Sequence, residues 1–411
     1  MDMKLKRCID LLLLCFLMAW PLVDTLNGYL YYQSVSLPSI SAPYKTLGFV
    51  ALLVVLMIYH VKQFLYLLLC AALMALCLFY QVMNYGHAIE SVTWAVRGLL
   101  TLALLFYLVG EAKQPEGFWS LQKLAGLMLF YFIVMSVNVS LGVLGVGESQ
   151  YAGGIGGKGF IIAGNEMSYL MLASASIVLF RLAETRGAGS LTLVFGLFLL
   201  FFLMKATKVA MLGICMVFVF ALIHNGYFKV RRIPTVYLIT LVGGAAVIVF
   251  GYQFIQAAGL LDRMLFLYKL HGGFWGALLS GRLSFLGEAV ELVVVPFGFW
   301  DVLFGVGVDH LLAVRGSLVE IDLIDVFISF GVIGGVLFYL PWLLGAVWAT
   351  QLLKRQPRYG MSFWLLIITV IGVSLAAGHV VNSGIASSAT ALLIGYLYQL
   401  KTRLPTFKEE A

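Results

Sequence analysis

Charged residues are scarce in this sequence. Lysine and arginine number 26 and aspartate and glutamate 19 among 411 residues, so only 11% of the chain is charged, while 62% is hydrophobic. The mean hydropathy is +1.01. A soluble globular domain carries about 25% charged residues, and this composition excludes that class. The sequence therefore predicts an all-α, polytopic integral membrane protein.

Several other features are missing. The five cysteines lie within or beside apolar runs, which argues against a disulfide framework. The six histidines are dispersed, without an HExxH motif or paired Cys/His spacing, so we expect no metal and no cofactor. There is no Walker loop and no GxSxG elbow, and GGIGGKG (153–159) lacks the P-loop spacing, which disfavours nucleotide hydrolysis. Basic residues are scattered over short loops, so nucleic acid is not expected as a partner.

Long apolar runs make up most of the chain. Windows of roughly 20 apolar residues, the length that crosses a bilayer, predict twelve spans. The first run has no clear small-residue cleavage site after it, so we expect an uncleaved span rather than a signal peptide. The twelve runs lie near residues 8–29, 46–61, 64–83, 93–110, 122–142, 164–181, 188–204, 206–224, 234–253, 322–350, 361–378 and 383–400.

The basic residues predict the orientation. Seventeen of the 26 lysines and arginines fall in alternate loops or at the termini, which the positive-inside rule assigns to the cytoplasm together with both termini. We therefore expect a nine-span bundle (1–253), a large outer loop (254–320) and a three-span bundle (321–411), which form one functional domain. Within the loop, LSFLGEAVELVVV (283–295) has near-helical spacing, which predicts a helix at the outer interface.

Three carboxylates stand where the tenth span begins, in SLVEIDLIDVFISFGVIGG (317–335). Acids in the first turn of a helix interact favourably with its dipole, so Glu320, Asp322 and Asp325 are partly explained as caps. One acid is enough for that purpose, and a charge inside the membrane is costly. Three acids in six residues therefore indicate a site as well. Asp325 lies deepest and needs a partner, which Arg282 or Arg315 can supply.

Some basic residues depart from the positive-inside pattern. Lys205 and Lys208, in MKATKVAM (204–211), lie at the tip of a hairpin, where one alternative is that they snorkel to lipid headgroups. The other is that they join Arg282, in LLSGRLSF (278–285), in a pocket for an anion such as a diphosphate. The residues on the unexpected side are Lys45, Lys158, Lys205, Lys208, Arg263, Lys269, Arg282 and Arg315, with Arg97 in the outer turns of the fourth span.

Four short motifs resemble those of the bacterial O-antigen polymerase and O-antigen ligase superfamily. They are GFIIAGNEMS (159–168), for the pattern GF..AGNE.S, SGR (280–282), FGVG (304–307) and EIDLIDVFISFGVIGG (320–335), for E.D..D.....G..G. The motifs occur in the family's order, alongside about twelve spans and one long outer loop late in the chain. The similarity covers most of the length.

The resemblance implies a GT-C-like membrane glycosyltransferase that uses undecaprenyl diphosphate-linked sugars at the periplasmic face of the bacterial inner membrane, without metal or nucleotide. Its implied partners are the lipid-linked donor and acceptor, membrane lipids and a regulator of chain length. Ligases of the superfamily carry a histidine where this chain has Glu320, which favours a polymerase that makes O-antigen or exopolysaccharide. Relatives often have SRG where this chain has ATK (206–208). The alternatives are an O-antigen ligase and, from another class, a transporter or flippase.

The resemblance and the residues together predict the roles. Cations stabilise the charge on a departing diphosphate, and a carboxylate acts as general base on the acceptor hydroxyl. We expect Glu320 to be the base or acceptor contact, with Asp322 and Asp325 orienting the sugar or an arginine. The diphosphate-binding candidates are Arg282, Lys208, Lys205, Arg97 and Arg315. The sugar-binding candidates are Asn165 and Glu166, which end a glycine-rich outer loop, and His310, which is otherwise an interface residue.

Overall fold

The described part of the protein is mostly helical. A computed structural model describes residues 3–34, 39–114, 117–151, 153–227, 260–270, 273, 276 and 281–404. About 81% of the structure is helix and nearly none is sheet, which confirms the all-α class. One antiparallel hairpin, β1 (Glu148–Tyr151) with β2 (Ile155–Gly159), joins two of the helices.

The part of the chain that the structure describes contains fifteen α-helices. In chain order they are α1 (Met3–Tyr32), α2 (Ser41–Tyr59), α3 (Val61–Tyr85), α4 (Ile89–Ala112), α5 (Leu121–Val143), α6 (Gly164–Thr185), α7 (Ala188–Lys205), α8 (Lys208–Asn225), α9 (Leu260–Leu270), α10 (Arg282–Ala289), α11 (Phe299–Phe304), α12 (Val308–Arg315), α13 (Asp322–Arg355), α14 (Pro357–Ala377) and α15 (Ala386–Arg403).

Among the described residues, nine helices are long and apolar enough to cross a membrane, namely α1 to α7, α13 and α14. Each of them coincides with a run predicted from the sequence. The chain is therefore a multi-pass membrane protein. The predicted span 234–253 lies outside the described residues. The runs 206–224 and 383–400 form the helices α8 and α15, which are not among the nine; in α8, the segment Ala210–Asn225 is a shorter apolar helix.

Helix α15 is surrounded by other helices, and this explains why it can be less apolar than the nine. Its residues Ala386–Leu400 are all buried. Gly395 lies against Leu108 of α4, and the Thr390 hydroxyl is 2.8 Å from that of Tyr169 in α6. A helix enclosed by other helices needs no lipid-facing apolar surface, so it tolerates serine, threonine and glutamine.

Polar contacts gather at the two ends of the bundle. At one end, Lys6 and His60 contact the Glu111 carboxylate at 2.7 and 3.0 Å. We call this the Glu111 end. The opposite end, called the Glu320 end, contains the β hairpin, the connection between α14 and α15, and the short helices α10 to α12.

The described part of the predicted outer loop is mostly helical. The run 283–295 forms α10 and, directly after it, one turn of π-helix over Val290–Val294, so this run is helical. Its position at the outer interface stays a prediction. Glu288 and Glu291 are exposed, as expected for a solvated helix face. Short helices α11 and α12 lead from this segment to the start of α13.

Helix α13 is broken at Gly331, whose backbone has φ +62° and ψ −165°. Beside the break, the last two amides of FGVG (304–307) donate to the carbonyls of Ile328 and Ser329, both at 3.0 Å. The side-chain amide of Gln81 also donates to the Ser329 carbonyl, at 2.8 Å. The carbonyls near the break therefore have partners, as a buried backbone requires.

Glycine is needed on both sides of this contact. A Cβ atom on Gly331 would lie 2.4 Å from the carbonyl carbon of Leu303, and one on Gly305 would lie 2.3 Å from that of Ser329. Two of the quoted motifs, FGVG and the first glycine of G..G, thus pack against each other. Their contact sets the direction of residues 322–330, which carry two of the three acids.

We predict that Gly331→Ala destabilises the protein. The backbone at Gly331 lies in a region that only glycine occupies readily, where strain costs about 1–3 kcal/mol, and the added methyl group would also collide with Leu303. Thermal unfolding of the purified protein in detergent should show a clearly lower Tm. Gly372→Ala in α14, where nothing lies within 4 Å of the added Cβ, is the control and should leave the Tm almost unchanged. Equal behaviour of the two variants would contradict the prediction.

Candidate functional site

A buried carboxylate holds the connection between α14 and α15, residues 378–385, which we call the 378–385 loop. Asp322 Oδ2 accepts hydrogen bonds from the Ser374 hydroxyl at 2.7 Å and from the amides of Val380 and Val381 at 2.8 and 3.0 Å. Asp322 itself is 2% exposed. Because a buried carboxylate is stable only when donors surround it, these bonds fix the loop to the first turn of α13.

Asp325 binds backbone instead of an arginine. Its two carboxylate oxygens accept hydrogen bonds from the amides of Val319 and Glu320, both at 2.8 Å. We expected Arg282 or Arg315 as the partner, and that expectation is wrong. The physical reason is that the turn before α13 offers two unpaired amides much closer to Asp325, in the manner of a helix cap.

Glu320 is the accessible member of the three acids. Its side chain is 45% exposed and forms an ion pair with Arg282, with 3.1 Å between Arg282 Nη2 and Glu320 Oε2. Arg282 Nε also donates to the same oxygen, at 3.3 Å. The arginine side chain is only 9% exposed. The buried guanidinium of Arg282 therefore holds the Glu320 carboxylate at the surface of the Glu320 end.

The backbone beside this pair is unusual. Glu320 has φ +64° and His379 has φ +59°, in the left-handed region that side chains other than glycine rarely adopt. The two residues belong to segments in contact, because a Cβ on Gly378 would lie 2.3 Å from the Glu320 carbonyl oxygen. Such positions cost about 1–3 kcal/mol each and cluster at functional sites. His379 also lies within electrostatic range of Asp325.

The other side of the 378–385 loop contacts two predicted site residues. The Glu166 carboxylate, in the first turn of α6, accepts a hydrogen bond from the Ser383 hydroxyl. Arg97 of α4 donates from Nη1 to the Asn382 carbonyl at 3.5 Å. The loop therefore lies between the Glu320–Arg282 pair on one side and Glu166 with Arg97 on the other.

Glu166 and Arg97 line a cavity of about 420 Å³ between α1, α2, α4 and α6. Its wall also contains Asp24 and Lys45, which form an ion pair with 2.6 Å between Lys45 Nζ and Asp24 Oδ1. Gly384 of the 378–385 loop closes one side. Two cations and two carboxylates give the cavity both donors and acceptors, which suits a ligand rich in hydroxyl groups.

Lys205 is enclosed by the β hairpin. It is 0% exposed, and its ammonium donates to the side-chain amide oxygen of Gln150 in β1. Gly156 makes this cover possible, because a Cβ there would lie 2.6 Å from the Lys205 carbonyl oxygen. Lys205 therefore does not snorkel outward, and that alternative is wrong for it. The side chain of Lys208 lies outside the described residues.

Arg315 belongs to a separate cluster. Its Nε is 3.4 Å from Glu288 Oε2, and its guanidinium carbon lies 4.8 Å from the centre of the Phe285 ring. Nη1 donates to the carbonyls of Ser317 and Leu318, at 2.7 and 2.5 Å. Arg315 thus fastens α10 to the turn before α13, and it does not line the cavity.

His310 belongs to another cluster, centred on Asp301. The Asp301 carboxylate accepts hydrogen bonds from the hydroxyls of Tyr80 and Tyr85, at 2.8 and 2.5 Å, and from the amide of Gly298 at 2.8 Å. The ring of His310 lies 4.4 Å from that of Tyr85, centre to centre. Burial raises the pKa of Asp301, but the hydrogen bonds outweigh it and hold the pKa below its ordinary value. Burial lowers the pKa of His310, against the pull of Asp301.

The structure brings together part of the predicted site. Asn165 shares the first turn of α6 with Glu166. Among the described residues, no group of three or more His, Cys, Asp or Glu side chains has the arrangement of a metal site. The predicted residues that lie on or beside the 378–385 loop and its cavity are Glu320, Asp322, Asp325, Arg282, Arg97 and Glu166, whereas Lys205, Arg315 and His310 belong to other clusters.

Sequence reasoning missed the 378–385 loop and the acid–base pair of Asp24 and Lys45. One signal for the loop is visible, since GHVVNSG (378–384) is a polar, glycine-containing interruption between two apolar runs. Lys45 stood out as a cation on the unexpected side, but nothing local connects it with Asp24, which is 21 residues earlier in the chain.

Comparison of the sequence with models of known protein families and with curated proteins finds no match.

We predict that Asp322→Asn loosens the 378–385 loop. Hydrogen bonds to a charged acceptor are about twice as strong as neutral ones, so the loss should be about 2 kcal/mol. The measurement is the Tm of the purified protein in detergent, together with protease sensitivity of the loop. Glu90→Gln, an exposed acid at the same end, serves as control. If both variants matched wild type in Tm and cleavage rate, Asp322 would not hold the loop.

We predict that Asp301 makes the protein less stable in acid. Its pKa is lower in the folded state than in the unfolded chain, so its contribution is complete above the ordinary pKa of about 3.9 and is lost as the pH falls through the folded value. The Tm of wild type should drop more steeply than that of Asp301→Asn below about pH 5. Parallel curves of Tm against pH would disprove this account.

Proposed function

We propose that the protein is a membrane glycosyltransferase of the GT-C type that polymerises undecaprenyl diphosphate-linked oligosaccharide repeat units into O-antigen or exopolysaccharide. The observation that carries the proposal is the accessible Glu320 carboxylate held by Arg282 at the 378–385 loop, next to a polar cavity. The motif resemblance adds support, because the ordered motifs of the polymerase and ligase superfamily contain or adjoin these residues.

The proposed orientation follows from the charges. Seventeen of the 26 basic residues fall in alternate loops of the predicted topology or at the termini. The described members of this set, such as Lys6 and Lys123, lie at the Glu111 end, and the positive-inside rule makes this side cytoplasmic. With twelve spans in total, both termini are cytoplasmic and the Glu320 end faces the periplasm of a bacterial inner membrane. No nucleotide sugar exists there, so the donor must bring its own leaving group, and a lipid diphosphate does so.

The proposed reaction is a single displacement at the anomeric carbon of the donor sugar. A hydroxyl oxygen of the acceptor sugar forms the new glycosidic bond, and the bond between the anomeric carbon and the diphosphate oxygen breaks. The acceptor proton passes to the Glu320 carboxylate, and the diphosphate leaves on its lipid. Arg282 stabilises the charge on the departing diphosphate, and Arg97 and Lys45 add positive charge on the other side of the loop.

The ion pair gives this mechanism a built-in order. Glu320 is bonded to Arg282, but nearly half of its side chain is exposed, so a ligand can reach the pair and compete for the guanidinium. A diphosphate presents several oxygens to the guanidinium and competes well for it. Donor binding at Arg282 therefore releases Glu320 to act as the base when the leaving group is already in place.

The remaining predicted residues have supporting roles in this proposal. Asp322 and Asp325 position the loop and the turn rather than touching the sugar, since their oxygens accept backbone hydrogen bonds. Asn165 and Glu166 stay the candidates for contacts with sugar hydroxyls, because Glu166 lines the cavity. Lys205 is bonded to Gln150 beneath the β hairpin and takes no part in the proposed reaction.

An O-antigen ligase is the second candidate, and His379 is the observation that favours it. Ligases of the superfamily carry a histidine at the Glu320 position, and here a histidine with a left-handed backbone follows Gly378, which packs on Glu320. The two enzymes share the lipid-linked donor. They differ in the acceptor, which is another lipid-linked repeat unit for a polymerase and lipid A-core for a ligase.

We predict that Glu320→Gln collapses the glycan ladder to a single repeat unit. A general base contributes about 100-fold or more to the rate, and glutamine cannot take the proton. The experiment is gel analysis of surface glycan from a deletion strain complemented with wild type, Glu320→Gln, Arg282→Ala or the exposed control Glu291→Gln, with membrane expression checked by immunoblot. Wild type and Glu291→Gln should restore the ladder.

Other outcomes decide against parts of the proposal. A normal ladder in Glu320→Gln removes the residue from the reaction. If the deletion strain accumulates a full ladder on undecaprenyl diphosphate, the protein is a ligase. If the deletion leaves the surface glycan unchanged, the protein is neither the polymerase nor the ligase, and a transport function is the next hypothesis to test.

A further inference from the structure

A second cavity, of about 540 Å³, lies at the Glu111 end, where α1 and α5 begin. Its wall carries the cations of Lys4, Lys6, Arg7 and Lys123, against one carboxylate, that of Asp10. Both helices are long and apolar enough to cross a membrane, so their first turns lie at the level of the lipid headgroups. The cavity is far from the reaction described above, at the opposite end of the bundle.

The carboxylates near this cavity are already engaged. Asp10 is 2% exposed and accepts a hydrogen bond from the Tyr107 hydroxyl at 2.5 Å. Glu111 binds Lys6, with 2.7 Å between Lys6 Nζ and Glu111 Oε1, and Gln114 Oε1 is 3.0 Å from the same ammonium. Lys6 is thus neutralised. Arg7 and Lys123 remain as cations of the wall that the carboxylates of Asp10 and Glu111, both already bonded elsewhere, do not neutralise.

Arg7 and Lys123 carry much of this excess. Both are exposed, and Arg7 lies within electrostatic range of the Lys123 ammonium. Lys123 donates one hydrogen bond to the Phe118 carbonyl at 2.8 Å and lies 3.4 Å from the centre of the Phe118 ring. Its ammonium has three donors, so two are left for a ligand. Like charges held close together at a concave surface are stabilised by a shared anion.

We infer that this cavity binds a phosphate group, presented by an anionic phospholipid or free in solution. The arginine offers a planar fork that matches phosphate oxygens, and the lysines offer point charges around it. Basic pockets between membrane helices at the headgroup level recognise lipid phosphates by this chemistry. The phosphate would join the start of α1 to the start of α5. This inference does not rest on the proposed glycosyltransferase function.

The test uses the purified full-length protein in a neutral detergent. Binding is followed by the rise in Tm on titration with phosphatidylglycerol, cardiolipin, phosphatidylcholine or inorganic phosphate. We expect the anionic ligands to raise the Tm, and the double variant Arg7→Gln/Lys123→Gln to bind them about 25-fold more weakly, at about fivefold for each cation removed. Lys62→Gln, an exposed lysine in the first turn of α3 at the same end, is the control and should bind like wild type.

Each outcome is decisive. A shift with the anionic lipids alone assigns the phosphate to a lipid headgroup, and the same variant-sensitive shift with inorganic phosphate assigns it to a soluble source. If phosphatidylcholine raises the Tm as much as phosphatidylglycerol does, or if the double variant binds as tightly as the Lys62→Gln control, the inference is overturned. Because no glycan is measured, failure here leaves the proposed reaction untouched.

Discussion

The arrangement of the Glu320 end depends on the Asp322 carboxylate. Its three donors come from residues 52, 58 and 59 positions further along the chain, so one anion closes a large loop of chain and is itself kept out of water. The 378–385 loop that it fixes then touches Glu320 on one face and Glu166 with Arg97 on the other. A carboxylate that is bonded to protein donors can thus determine where the other residues of the candidate site lie, as supporting residues do in a preorganised site.

Much of the fold could be predicted from the sequence, because hydrophobic run length is a strong signal for membrane helices. In the part of the chain that the structure describes, nine predicted runs are helices of spanning length. The β hairpin could not be predicted in this way. It consists mainly of glycine and polar residues, and its stability comes from packing over Lys205 and against α5, which no local pattern reveals. The break at Gly331 could not be predicted either. A glycine within an apolar run is usually interpreted as a site where two membrane helices pack closely, and not as a break in the helix.

The candidate site was only partly visible in the sequence. The cluster of Glu320, Asp322 and Asp325 stood out because charge is costly in a membrane helix, and Arg282 stood out as a cation on the unexpected side. The partner of each acid could not be predicted. Whether a carboxylate binds an arginine or backbone amides depends on which lies closer in the folded protein, and the sequence does not give those distances. Asp325 lies beside two amides and Glu320 lies beside a guanidinium. The positive φ of His379 has no sequence signature, since only a few per cent of residues other than glycine adopt such a backbone.

The buried position of α15 has a consequence for how the protein is made. The helices that enclose α15 include α4 and α6, which leave the ribosome long before it does. A segment with so many polar residues partitions poorly into lipid by itself, so it must enter the membrane through contacts with helices that are already there. Until α15 is made, the surfaces of α4 and α6 that contact it in the folded protein lack that partner. Insertion of α15 is therefore a late step relative to α4 and α6, and it depends on the prior placement of those two helices.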